Sequence, residues 1–238
     1  MKFEGQTAIV VGASSGMGRA IAAALADAGF KVLATARRRE RLAELAAEHP
    51  GRIITCVADA ASESDVDRLF SAAPADLGRV DVLVYAAGTN IPDRNLSAVS
   101  PERWRELIDA NLTGAFLCTR RVVPIMRTQR SGLIIYLSSA AVQRPDVSGV
   151  AYQASKHGLV GLAHGTRVEE RDHGIRTTVI FPGLCDTEIL QQRPVPTPRE
   201  VLDQSLQPED LAAAVLFLTS LPPRVLVPEL PLVPSRIW

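Results

Sequence analysis

Tyr152 and Lys156 stand four residues apart in Val150-Ala-Tyr-Gln-Ala-Ser-Lys156, a stretch with helical character, so the two side chains share one helix face. An ammonium beside a phenol favours phenolate and lowers the phenol's pKa from about 10. A tyrosine tuned in this way can trade a proton with a carbonyl or an alcohol. Ser139 precedes Tyr152 by thirteen residues and follows a short apolar run. Asn111 lies in Asn111-Leu-Thr-Gly114. Each residue has a plain structural alternative: Asn111 as a buried helix polar group, Ser139 as a cap, Lys156 as a surface cation. A lone Tyr-x-x-x-Lys occurs on many helices by chance; the four in this order carry more.

A second feature lies near the N-terminus. The β-branched run Thr7–Val11 is followed at once by Gly12-Ala-Ser-Ser-Gly-Met-Gly18. This is a strand-to-helix turn in which Gly12 permits a tight reversal. Gly16 and Gly18 let backbone N–H groups approach a pyrophosphate and let the helix pack near the strand. A glycine-rich turn opening an ordinary packed helix is the structural alternative.

These residues need elements to position them. Strand-like runs fall at Thr7–Val11, Lys31–Ala36, Arg52–Val57, Val80–Ala86, Leu133–Leu137 and Ile175–Phe181. Helical spacing lies between them, at 19–28, 38–49, 62–77, from Ser100 towards Gln129, and at 150–173. Ser100-Pro-Glu102 is a strong helix start, with a capping hydroxyl, proline at the first position and an acid at the positive dipole end. The strands are short and nearly all apolar, as strands covered on both faces must be. Alternation of this kind predicts an α/β fold: a single domain over 1–238, with a central parallel sheet and helices on both faces. Ligands then sit at the carboxyl ends of the strands, where Gly12, Arg37, Asp59, Gly88, Ser139 and Gly183 all fall.

In combination, the glycine turn, Ser139, Tyr152, Lys156 and Asn111 resemble the short-chain dehydrogenase/reductase family, over residues 5 to about 220. The family's usual turn is TGxxxGxG; Val11 stands here in place of the threonine. Its NNAG sequence corresponds to Tyr85-Ala-Ala-Gly88, with both asparagines missing. The resemblance implies a doubly wound Rossmann fold and hydride transfer between a nicotinamide and a carbonyl or alcohol. Tyr152 is then the proton donor, Ser139 a hydrogen-bond donor to the reacting oxygen, Lys156 a modulator of Tyr152 that also binds ribose, and Asn111 a support for the proton relay. It implies a cofactor cradle of Gly12, Ser14, Ser15, Gly16, Met17 and Gly18. Asp59 and Ala60 lie beside adenine, with a helix N-cap the alternative for Asp59. Ala87 and Gly88 approach the cofactor, as do Tyr152 and Lys156. Pro182-Gly183-Leu184 with Thr187 forms the family's PGxxxT and holds the nicotinamide carboxamide.

In NAD-binding units an acid after the second strand takes the ribose 2′-hydroxyl. Here Ala36 holds that position and Arg37-Arg-Arg39 follows. Guanidinium groups suit a 2′-phosphate, so NADP(H) is expected over NAD(H), with Arg37 first and Arg38 second as its contact.

Beyond Gly183 the composition shifts: no glycine follows, and nine of the sixteen prolines lie from Gln191 onward. Residues 184–207 read as a loop over the site. Arg193 in that loop reads foremost as an exposed cation, with a substrate carboxylate as the alternative. The ending, Arg224 to Trp238, is similar to the NADP-dependent 3-hydroxy acid and serine dehydrogenase branch. Val142, Val147, Val150, Leu184, Ile189 and Leu190 suggest an apolar substrate pocket for an aromatic or aliphatic ketone, a small hydroxy acid being the rival. A non-catalytic dinucleotide sensor has no need of Tyr152 and Lys156 together. An epimerase or dehydratase would want a larger substrate domain.

Lysine plus arginine and aspartate plus glutamate both number 26, which argues against a nucleic-acid partner. No apolar run approaches the ~18 residues of a membrane span. The first six residues lack the apolar core of a signal peptide. Cys56, Cys118 and Cys185 are far apart, which argues against a disulfide framework or a metal site. A cytoplasmic protein is expected, and by resemblance a homotetramer or homodimer paired through its long helices. Cys185 reads as a thiol open to the site without a motif to activate it.

Overall fold

The computed structural model describes residues 3–237; Met1, Lys2 and Trp238 lie outside the described residues. Seven strands form one sheet: β1 (Thr7–Val11), β2 (Lys31–Ala36), β3 (Ile53–Val57), β4 (Val82–Tyr85), β5 (Gly132–Leu137), β6 (Ile175–Pro182) and β7 (Glu229–Leu232). Their order is β3-β2-β1-β4-β5-β6-β7, and every neighbouring pair is parallel. The chain reverses its winding between β1 and β4, so a crevice opens there at the carboxyl ends of the strands.

One face carries α1 (Gly16–Asp27), α2 (Arg39–Glu48) and α8 (Pro208–Ser220), the other α3 (Glu63–Leu77), α5 (Gly114–Gln129) and α6 (Val150–Glu170). Alternate residues of each strand supply the two cores: Val10, Val32 and Val84 face the first set, Ile9, Leu33 and Leu83 the second. A short α4 (Pro101–Ile108) is capped by Ser100 Oγ, which accepts from the Arg103 N–H at 3.3 Å. A small α7 (Arg199–Leu202) lies in the proline-rich segment.

Two features depart from the sequence reading. The helix expected from Ser100 towards Gln129 is interrupted by a π-turn over Asp109–Thr113. There the Gly114 N–H reaches back to the Asp109 carbonyl, and the Tyr85 hydroxyl donates to the Ala110 carbonyl at 2.7 Å. The second is β7, hidden in the sequence by Pro228, Pro231 and Pro234. It tolerates Pro231 because it is the sheet's outer strand, where one backbone N–H can be spared. Among the described residues no helix is long and apolar enough to cross a membrane, and no group of three or more His, Cys, Asp or Glu is placed to hold a metal.

Candidate active site

The glycine turn is built by close approach. Gly12 has φ +90°, and a Cβ on it would stand 2.6 Å from the Ala87 nitrogen; one on Gly18 would strike the Gly12 carbonyl oxygen. The end of β1, the start of α1 and the segment after β4 can therefore meet only through glycine. The Gly12 and Ala13 N–H groups donate to the Thr35 carbonyl at 2.8 and 3.1 Å, tying the turn to β2. The start of α1 has neither a capping side chain nor an acid in its first turn. Its positive end faces the cleft, which suits an anion.

Arg38 closes over this turn. Its Nε donates to Ser14 Oγ at 3.1 Å, its Nη2 to Ser15 Oγ, and its Nη1 pairs with Glu188 at 2.9 Å. Arg41 pairs with the same carboxylate, and the two guanidiniums hold Glu188 below its ordinary pKa. Arg37 is three-quarters exposed and 3.9 Å from Asp59. Asp59 does not cap α3: that role belongs to Ser62, which accepts from the Asp65 N–H, while Asp59 Oδ1 accepts from the Ala61 N–H at 3.0 Å. An uncapped helix start, a glycine cradle and adjacent guanidiniums fit a phosphorylated dinucleotide.

Across the cleft, α6 carries Tyr152 and Lys156, and Ser139 follows β5. Ser139 Oγ accepts from the Ala141 N–H at 3.2 Å, so it also caps a short turn. Lys156 is buried, donates to the Leu137 carbonyl at 2.9 Å and has its Nζ 5.6 Å from the centre of the Tyr152 ring. Burial pulls its pKa down to about 8. The expectation that Lys156 lowers the Tyr152 pKa is corrected: burial pushes the phenol up, opposed by its hydrogen bond with Ser139 and by the charges of Arg94 and Arg193. Desolvation of a phenolate outweighs these, and Lys156, with its pKa near 8, has given up its charge before the phenol titrates.

Asn111, wholly buried at the π-turn, accepts from the Thr89 N–H at 2.8 Å and donates to the Thr89 carbonyl at 3.1 Å and to Ser155 Oγ at 3.0 Å. It thus clamps the segment after β4 to α6, one residue before Lys156. A Cβ on Gly88 would lie 3.2 Å from Lys156 Nζ.

On the third side, Gly183 N–H donates to the Leu232 carbonyl of β7 at 2.8 Å, so the outer strand braces the Pro182-Gly183 turn. Thr187 meets Gly16, its methyl 3.1 Å from where a Cβ would be. Cys185 lines the cleft as expected but is nearly buried, and burial pushes its thiol up to about 12. All the expected catalytic and cofactor residues line, or pack behind, one cleft of about 800 Å³; Asn111 is behind its wall. The apolar pocket is only partly found. Leu184, Ile189 and Leu190 line the cleft, but Val142, Val147 and Val150 do not, and Val147 is 88% exposed. Arg94, Arg144, Asp146 and Arg193 line it instead. Arg193 is half-buried, not a free loop cation. Arg94 carried no sequence signal: it sits in an irregular segment without periodicity or motif.

Chemistry at this cleft is that of oxidoreductases built on doubly wound sheets. Residues 6–196 match the family described as short chain dehydrogenase, and the chain belongs to that family. It is similar to dehydrogenase/reductase SDR family member 11 of Bos taurus, 32% identical over 251 aligned residues covering 99% of this chain and 98% of the relative. It is similar to farnesol dehydrogenase of Aedes aegypti, 34% identical over 244 residues, covering 98% and 97%. Among solved structures, the closed form of serine dehydrogenase complexed with NADP+ superposes with a TM-score of 0.90 at 31% identity, covering 96% of this chain and 95% of the other.

Proposed function

We propose that this protein is an NADP(H)-dependent oxidoreductase that interconverts a ketone or aldehyde and the corresponding alcohol. The observation that carries this reading is the placement of Ser139, Tyr152 and Lys156 opposite the glycine turn in one cleft. Bound reduced nicotinamide would supply the hydride. The turn from Gly12 to Gly18, with Ser14, Ser15 and Met17, would hold the pyrophosphate. Arg38, aided by Arg37, would take the 2′-phosphate. Asp59 and Ala60 would flank adenine, Ala87 and Gly88 the ribose, and Pro182 to Leu184 with Thr187 the carboxamide.

In reduction Tyr152 gives its proton to the carbonyl oxygen. Ser139 donates to the same oxygen as negative charge develops. Lys156 holds ribose and supports return of the proton to Tyr152. Asn111 keeps Thr89 and Ser155 in place around that path. In oxidation the same groups run in reverse. A homotetramer or homodimer is part of the proposal, since α5 and α6 leave Phe116 and Val168 exposed; light scattering of the purified protein decides it. The activity itself is tested with a panel of ketones, aldehydes and hydroxy acids, with NADPH and NADH compared by nicotinamide absorbance. Turnover of none of them overturns the reading.

A further inference from the structure

The substrate end of the cleft holds a charge that the proposed chemistry does not use. Arg94, between β4 and α4, is only 8% exposed yet lines the cleft together with Tyr152. Its position is fixed from three sides. Gly149, at φ +89°, lies so near that a Cβ there would stand 2.5 Å from the Arg94 Cβ. Asn90 Nδ2 donates to the Ser148 carbonyl at 3.0 Å, joining the two loops beside it. Arg94 Nε donates to the Ile91 carbonyl at 2.9 Å, and Nη2 donates to the Gln192 carbonyl.

Two carbonyls do not neutralise a guanidinium. Among the described residues Nη1 has no hydrogen-bond partner, and no carboxylate stands within ion-pair distance. Arginine does not escape by losing its proton, and Nη1, which is not among the sealed side-chain atoms lacking a partner, opens on the cleft. The surroundings add to the imbalance. Arg193 repels Arg94 more strongly than Asp146 attracts it, and both line the cleft with it. The cleft's other acids, Asp59 and Glu188, lie at the opposite end, where Glu188 is engaged by Arg38 and Arg41. Among the described residues, the guanidiniums of Arg94 and Arg193 thus share the space next to Tyr152 with the single carboxylate of Asp146.

We infer that the substrate carries a compact anion, a carboxylate or a sulfonate, on the same molecule as the reacting carbonyl, and that Arg94 is the specificity-determining residue that holds it through Nη1. This rests on the reading of Tyr152 as proton donor. The redox step is the one already described: the carbonyl carbon gains a hydride from NADPH, its oxygen gains the Tyr152 proton, and NADP+ and a hydroxy acid leave. The anionic group does not react. It orients the carbonyl between Ser139 and Tyr152, and a planar guanidinium suits either oxyanion.

The test compares 3-oxobutanoate, 4-oxobutanoate and 2-oxoethanesulfonate with the methyl esters of the two acids and with butanone, using NADPH and the full-length enzyme. Each acid should exceed its ester in kcat/KM by on the order of 10- to 100-fold. Arg94→Gln should bring that ratio close to one, and Arg94→Lys should restore part of it. A role confined to packing would lower acid and ester alike and leave the ratio unmoved. Should Arg94→Gln not fold, the wild type still answers: propanoate or ethanesulfonate should compete with butanone, and methyl propanoate should not. The carboxylate and sulfonate arms show which oxyanion fits. Esters reduced as well as acids, or an acid preference that survives Arg94→Gln, would overturn the inference while leaving the Tyr152 reading intact. Failure to reduce acids, esters and butanone alike would overturn both.

Discussion

Gly149 and Arg94 meet so closely that any side chain on the glycine would stand within 2.6 Å of both the Arg94 Cβ and its carbonyl oxygen. The contact lies at the foot of α6, three residues before Tyr152. It links the loop after β4 to the helix that carries the proposed acid. Gly149→Ala therefore meets two costs, a positive φ and a collision with backbone. Together they should destabilise the fold by about 2–4 kcal/mol. Turnover per folded molecule should also fall, because Tyr152 moves with the start of the helix. A denaturant midpoint and specific activity equal to the wild type would remove this coupling.

Tyr152→Phe keeps the ring, its packing and its distance from Lys156, and deletes only the proton. The variant should lose about 10²–10⁴-fold in kcat, while NADPH affinity, read by fluorescence titration, changes no more than about twofold. Ser139→Ala should cost about 10²-fold in kcat. Activity in Tyr152→Phe near that of the wild type would force the proton onto another group.

Most of the scaffold was legible because its signals are local. Short apolar strands, the glycine turn and the Ser100-Pro-Glu102 start each state their structure within a few residues. Ser139, Tyr152 and Lys156 could be proposed because order along a doubly wound sheet becomes proximity at its carboxyl edge, whereas Asn111 followed from the family resemblance alone. What stayed hidden depends on distant partners. Pro231 hides β7 until the sheet's edge is known. The π-turn at Asn111 follows from packing over Tyr85, which no periodicity encodes. The substrate end misled for the same reason: valines at 142, 147 and 150 look like pocket wall, yet burial is decided by loops that bring Arg94 and Arg193 there instead.

Arg38 and Arg37 share a sequence signal but not a geometry. Arg38 is hydrogen-bonded to Ser14 and Ser15, whereas Arg37 extends into solvent. A held guanidinium loses less entropy on binding phosphate. Arg38→Ala should weaken NADPH by about tenfold or more, and Arg37→Ala by less, with NADH changed little by either. Glu188 competes for Arg38 and Arg41, so Glu188→Gln should tighten NADPH by about two- to fivefold. Titrations of both cofactors into the three variants decide the ranking; equal losses for NADPH and NADH would mean that neither arginine meets a 2′-phosphate.

Lys156 gives the protein a pH dependence with a definite sign. Burial lowers its pKa from 10.5 to about 8 in the fold. Below pH 8 both folded and unfolded chains carry the proton, and the fold bears the full cost of the buried charge. Between about pH 8 and 10.5 the unfolded chain keeps a proton that the folded chain has released, so this group's contribution to stability rises with pH. Lys156→Met removes the titration. The ligand-free variant should exceed the wild type in stability at pH 7 by on the order of 1–3 kcal/mol, less than the full linkage because the Leu137 carbonyl loses its donor. That advantage should shrink or reverse by pH 10. Urea denaturation of both proteins at the two pH values measures it, and a difference independent of pH would show that Lys156 does not titrate in this range.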